Sequence, residues 1–361
     1  MSKSLKLRPL SSSSFSTRAS MNTHESGCFF ESDDIALEGM AKLYAAPGIT
    51  KLYGLIGRGR FATSYHCSDE KHGEVAVKTF DVGVVFRPEC EELQELRHPN
   101  LVRLYRTLQE GTTCGMVLEL CGRSLYDVLH TDFGRRIKVV EDPLHRLRAA
   151  LDVVRALKYL HKKELCHCDV SSRHVFVDRS LHPESLEIVG VKLGDFQTLC
   201  KVNSNSRSMC TMSHIYRPPE ETPLQIFPSQ VRSSFTGDIY AFGILLHEIM
   251  TRSLPYREHA LSGDPRLALL VKAGLRPDVT VVPTDPALSS KWGEAMRRQL
   301  ILCMEKCWLQ AESDRPASSE VVSELKDIMK DWVSIRFLLS LGCKSSHKDA
   351  KRQLGAKDVA C

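Results

Sequence analysis

In the first third of the chain the apolar positions come in short runs bounded by glycine, and in the remainder they recur at helical spacing. Val75 to Thr79 and Met116 to Leu120 are such runs and predict strands; Tyr53 to Ile56 predicts another. Glu89 to Leu96 carries apolar residues at helical spacing, and Pro88 places the helix start close to Glu89. Leu144, Leu147, Leu151, Val154, Leu157 and Leu160 repeat along one helix face, and Ile239 to Met250 and Glu294 to Leu309 predict further buried helices. There is no internal repeat at solenoid periods. The pattern is that of a sheet with one helix, followed by a mainly helical region.

Composition narrows the class. A chain of 361 residues that is 42% hydrophobic and 26% charged can bury the core of one large two-lobed domain or two ordinary ones. No apolar run approaches the roughly 18 residues a membrane helix needs, so no membrane span is expected. The net charge of +5 is concentrated toward the two ends, which argues against a basic body that wraps nucleic acid. Residues 1–24 hold Lys3, Lys6, Arg8 and Arg18, no acid, and the run Ser11 to Ser14, a composition expected to be disordered, with an organelle transit peptide as the second reading. From Val333 onward, Arg336, Lys344, Lys348, Lys351, Arg352 and Lys357 outnumber Asp349 and Asp358 and read as a solvated basic tail. The 13 cysteines lack the spacing of a disulfide framework and fit a reducing, cytoplasmic setting. Cys303 and Cys307 fall on one helical face beside Trp308 and are expected in the core rather than on a metal.

Several segments carry chemistry. The strand at Tyr53 runs into GRGRFATSY, where Gly57 and Gly59 would let backbone amides approach phosphate oxygens; a hairpin turn with two glycines is the plainer alternative. Lys78 ends the apolar run VAVK, where an ammonium aimed at phosphates would need a carboxylate to hold it. HCDVSSRHVFV, from His167 to Val177, and LGDFQ, from Leu193 to Gln197, each contain an aspartate. Asp169 or Asp195 alone could be a turn or cap residue. Farther on stand Pro218-Pro219-Glu220, DIYAFG from Asp238 to Gly243, and Asp314-Arg315-Pro316.

In this order the segments resemble the eukaryotic protein kinase domain over about residues 51 to 332. The resemblance implies an α+β, bilobal fold: a small β-rich N-lobe (51–118) with one αC helix, a hinge (119–123) and a larger, mainly α-helical C-lobe (124–332), between tails at 1–50 and 333–361. It implies ATP binding by Gly57, Gly59, Phe61, Ala76 and Lys78, by the backbone of Glu119 to Cys121, and by Ser124 at the ribose edge, with Leu118 as gatekeeper. Glu89, set before Arg97-His98-Pro99-Asn100 at family spacing, would hold Lys78; Asp169 would accept the substrate hydroxyl proton; Asp195 would bind Mg2+. Leu93 and Leu104 match the two upper members of the regulatory spine, Asp238 the start of the central buried helix, and Glu220 and Arg315 a buried ion pair, with His167 and Phe196 as further structural positions of the motifs. The Cys307-Trp308 pair and Arg173 resemble the tyrosine-kinase and tyrosine-kinase-like branch, whereas Tyr216 stands where tyrosine kinases carry Trp, leaving Ser/Thr or Tyr specificity open.

The chain also departs from the family pattern. His174 replaces the asparagine that holds a second metal, and imidazole suits Mn2+ better than Mg2+. Gln197 replaces the DFG glycine, Cys168 replaces the HRD arginine, and Ser171 the lysine of serine/threonine kinases. The expected activity is transfer of the ATP γ-phosphate to a hydroxyl of a protein substrate. The alternative is a weak or inactive pseudokinase that holds nucleotide and presents its surface to a signalling partner.

Overall fold

The structure is a computed structural model that describes residues 46–59, 62–80, 90–110, 113–131, 142–178, 190–202, 214–221, 233–288 and 290–340. The first part is a five-stranded antiparallel sheet made of β1 (Ile49–Arg58), β2 (Ala62–Asp69), β3 (Gly73–Phe80), β4 (Leu104–Glu110) and β5 (Thr113–Glu119), in the order β1-β2-β3-β5-β4. Asp69 accepts the amides of Lys71 and His72, both at 3.1 Å, and Gly73 takes φ +71°, so the β2–β3 hairpin turns tightly. The two-residue period of β3 sorts its side chains between the two faces of the sheet. Val75 and Val77 are fully buried with Tyr65, Cys67 and Val117 on one face, which sends Ala76 and Lys78 to the other.

Helix α1 (Cys90–Glu95) falls within the predicted Glu89 to Leu96, and its Leu93 is buried. Glu89 and Phe61 lie outside the described residues.

The second part begins with α2 (Leu125–His130) and α3 (Pro143–Lys162). Asp142 caps α3 through the Leu144 amide, and proline at the first position costs no hydrogen bond there. The short pairs β6 (Leu165–Cys166) with β9 (Cys200–Lys201), and β7 (Val175–Val177) with β8 (Val191–Leu193), hold the loops between them. Then come α4 (Phe235–Thr251), α5 (Arg257–Ser262), α6 (Leu267–Lys272), α7 (Ser290–Cys307) and α8 (Ser318–Ser340). Every residue of α4 from Gly237 to Met250 is buried, so this helix is covered all round and the others pack about it. One core cluster joins Leu93, Leu104 and Met116 of the first part to Phe196, Leu147 and Ile239 of the second.

The observed architecture is the bilobal α+β one that the motifs implied. The boundary drawn by charge at residue 332 needs correcting. It falls inside α8, where Ile335 is buried and Arg336 bonds to Asp142 and Asp285, so these residues belong to the folded body rather than to a solvated tail. Cys67, Cys114, Cys121, Cys166, Cys168, Cys200, Cys303 and Cys307 are free thiols, and Cys303 and Cys307 are buried beside Trp308 as expected of core residues.

Candidate active site

A cleft of about 740 Å³ lies between the sheet and the helical part, within the range of small-molecule sites. Gly57, Gly59, Ala76, Lys78, Leu118, Glu119, Cys121, Ser124, Asp169, His174, Asp195 and Phe196 all line it, so positions spread from 57 to 196 along the sequence converge on one space. The Gly59 amide donates to Ala62 O at 2.8 Å and closes the β1–β2 turn, while a Cβ at Gly57 would meet nothing within 4 Å. The room that glycine leaves there is therefore available to a ligand.

Lys78 Nζ donates to Asp195 Oδ1 at 2.8 Å across 117 residues. Burial would raise the Asp195 carboxyl, but the charge of Lys78 and its hydrogen bond outweigh it and hold the group down at about 2. Asp195 is thus an ionised, hard oxygen donor, and its left-handed backbone (φ 58°) turns it out of the Gly194–Phe196 run. His174 sits between the two aspartates: Nδ1 is 2.9 Å from Asp169 O, and Nε2 is 3.3 Å from Asp195 Oδ2. A neutral imidazole has one N–H. With that proton directed at Asp169 O, the Nε2 lone pair faces the Asp195 carboxylate, a donor set that suits a cation between them. Asp195 with His174 therefore fits a divalent ion whose remaining ligands come from phosphate and water, although no cluster of three metal-binding side chains is preformed among the described residues.

The catalytic-loop segment is anchored from below. Asp238, at the start of α4, accepts the amides of His167 and Cys168, each at 2.8 Å, and lies 3.0 Å from His161 Nε2. His167 Nε2 donates to Gly194 O at 2.8 Å, which leaves Nδ1 to accept the Asp169 amide at 3.3 Å. The same ring meets Phe196 edge-on with centroids 6.2 Å apart. Leu93, Leu104 and Phe196 all belong to the large buried cluster that extends through both lobes. Arg315 grips Glu220 through two hydrogen bonds of 2.6 and 2.7 Å, with its own side chain fully buried.

At the hinge, Glu119 N–H donates to Arg103 O and Gly122 N–H to Val177 O, both at 2.8 Å, so Cys121 is held between two fixed amides. The Glu119 carboxylate turns to Lys192 at 2.6 Å. Ser124 is the cap of α2: its hydroxyl accepts the Asp127 amide and donates to Asp127 Oδ2. Asp127 lines the cleft beside it and is not singled out by the sequence motifs, although Ser-x-x-Asp before an apolar run is a capping signal. Gln197 and Arg173 of the quoted motifs line the cleft as well, and so do His214 and Arg217, which no motif had placed there. Cys168, in the position of the missing arginine, points instead at Cys200, with sulfurs 3.5 Å apart in a small buried cluster with Cys166.

Known proteins share this outline. The family model for the protein kinase domain matches residues 50–325. The chain belongs to that family. Within it, this kinase domain is 27% identical over 303 residues to serine/threonine-protein kinase A-Raf of Sus scrofa, and equally to those of Mus musculus and Homo sapiens. Each alignment covers 80% of this chain and 45% of the relative, so the kinase domain spans less than half the length of these relatives. No described helix is long and apolar enough to cross a membrane.

Proposed function

We propose that the chain is an ATP-dependent protein kinase that transfers the γ-phosphoryl group to a hydroxyl of a protein substrate. The observation that carries this reading is the Lys78–Asp195 contact at 2.8 Å in a cleft that also presents Asp169. When bound, ATP with Mg2+ supplies the phosphoryl group and neutralises part of its charge. Lys78 offers an ammonium to phosphate oxygens, and Asp195 offers an ionised carboxylate to the cation. Asp169, whose amide is fixed by His167, orients the attacking hydroxyl and takes its proton. Glu119 to Cys121 hold the adenine edge through their backbone, with Gly57, Gly59 and Phe61 over the phosphates, Ser124 at the ribose edge, and Glu89 as the partner of Lys78 once nucleotide is bound. The likeness to serine/threonine kinases supports serine or threonine as the acceptor, and the substrate is a protein.

One observation favours a second reading. His174 contacts both aspartates and stands where the second cation would be met, which would suit a domain that holds nucleotide without efficient turnover. Thermal shift with ATP in Mg2+ and in Mn2+, followed by labelled-phosphate transfer to a generic protein substrate, separates the two. Transfer abolished by Asp169→Asn supports the kinase; binding without transfer supports the pseudokinase.

A further inference from the structure

Helices α3 and α4 run antiparallel: His161 near the end of α3 meets Asp238 near the start of α4 at 3.0 Å. The same register carries Arg146, in the first turns of α3, toward Arg252, which follows the last residue of α4 and whose charge acts on it. Arg146 is only 7% exposed, yet its Nε has no hydrogen-bond partner, and the buried Nε of Arg252 has none either. A buried guanidinium without an acceptor is costly, and a second one beside it adds repulsion. Burial first, and then the charge of Arg252, push Arg146 down to about 10, against the pull of Asp142 and Asp285.

Those two carboxylates are already engaged. Asp142 Oδ1 accepts from Leu144 N–H and Arg336 Nη2, and Oδ2 from Arg336 Nη1. Asp285 Oδ1 accepts from Ala287 N–H, and Oδ2 from Trp332 Nε1 and Arg336 Nε. Among these groups three arginines face two aspartates, and the third arginine takes the acids.

We propose that Arg146 and Arg252 form a binding site for a phosphate-class oxyanion, at the end of the C-lobe away from the cleft. The ligand lies roughly 22 Å along α3 from His161 and the catalytic-loop anchor, so it is distinct from nucleotide phosphate. It reaches the pair from the half-buried Arg252 and accepts the unspent N–H groups of both guanidiniums, as the several oxygens of phosphate allow. Free inorganic phosphate and a phosphorylated side chain share this chemistry.

The test is a melting temperature of the full chain in inorganic phosphate, against chloride and acetate at matched ionic strength. It is measured for the wild type, Arg252→Gln, Arg146→Met and Lys78→Met. Phosphate is expected to raise the wild type and Lys78→Met by about 3 °C at tenfold saturation, and to leave Arg252→Gln and Arg146→Met unmoved. Arg146→Met is expected to melt no lower than wild type in chloride, because an uncompensated buried charge has gone. A phosphoserine arm that exceeds inorganic phosphate identifies a phosphorylated side chain as the source, and an equal response identifies free phosphate. No shift in wild type, a shift retained by Arg252→Gln but lost in Lys78→Met, or an equal shift in acetate overturns the assignment.

Discussion

Arg336 holds Asp142 through paired hydrogen bonds of 2.7 and 2.8 Å, so a residue near the end of the described chain clamps the start of α3 from 194 positions away. Its Nε reaches Asp285 at 2.6 Å, which joins α8, α3 and the loop before α7 in one ionic knot. Burial would raise both carboxyls, but Arg336 outweighs it and holds both below the usual range.

Removing this guanidinium leaves two carboxylates without their cation. Arg336→Ala should cost about 3 kcal/mol at neutral pH, read from chemical denaturation. The wild type keeps this contribution above the ordinary carboxylate pKa, near 4, and loses it as pH falls through the depressed folded values. The gap between wild type and variant should therefore narrow below about pH 4. A constant gap from pH 7 to pH 3 would show that the arginine acts only by packing.

Lys78→Met removes the cation that faces both Asp195 and the phosphate space. ATP affinity should fall by about tenfold or more, as loss of a charged hydrogen bond implies, and transfer should cease. Unchanged affinity with full activity would show that the sheet does not hold the phosphates.

His174→Asn exchanges a ring that contacts Asp169 and Asp195 for an amide oxygen suited to a hard cation. Turnover in Mg2+ should rise severalfold, and wild type should prefer Mn2+. Equal wild-type rates in both ions, with no gain in the variant, would make His174 a structural bridge between the aspartates.

Glu221 follows the Glu220–Arg315 pair, and its Oε2 is buried without a partner. Burial, with repulsion from Glu220 and Asp238, raises its carboxyl to about 8. A carboxyl raised on folding stabilises fully below its unfolded pKa and loses that contribution as pH rises through the folded value. Wild-type stability should thus decline by a few kcal/mol between about pH 4.5 and pH 8, and Glu221→Gln should flatten the decline. Urea midpoints at pH 5.5 and 8.5 decide it; parallel changes in both proteins would place the titration elsewhere.

The parts of the site visible in the sequence are those whose geometry is local. Lys78 follows from an alternating strand, Asp195 from its short motif, and Asp238 from the start of a continuous apolar helix. The strands around Val75 and Met116 and the helix around Leu151 are also legible, because period-two and helical patterns survive burial on one or more faces. The features that escape depend on contacts between distant positions. Arg336 reads as tail because its acids are far away in sequence, and the Cys168–Cys200 approach follows from strand pairing of β6 with β9. Asp127 is hidden by its double role as cap partner and cleft wall. The Glu89 partnership rests on spacing alone.

The buried helix α4 has a dynamic consequence. Its Asp238 takes two loop amides, so the peptide groups of His167 and Cys168 can exchange with solvent only when the base of α4 opens. Deuterium uptake at these two positions should be as slow as in the centre of that helix, although they lie in a loop. The segment bearing Asp169 is then a fixed plinth whose release coincides with global unfolding. Control of the cleft would have to come from the opposite wall, where the β1–β2 turn borders it.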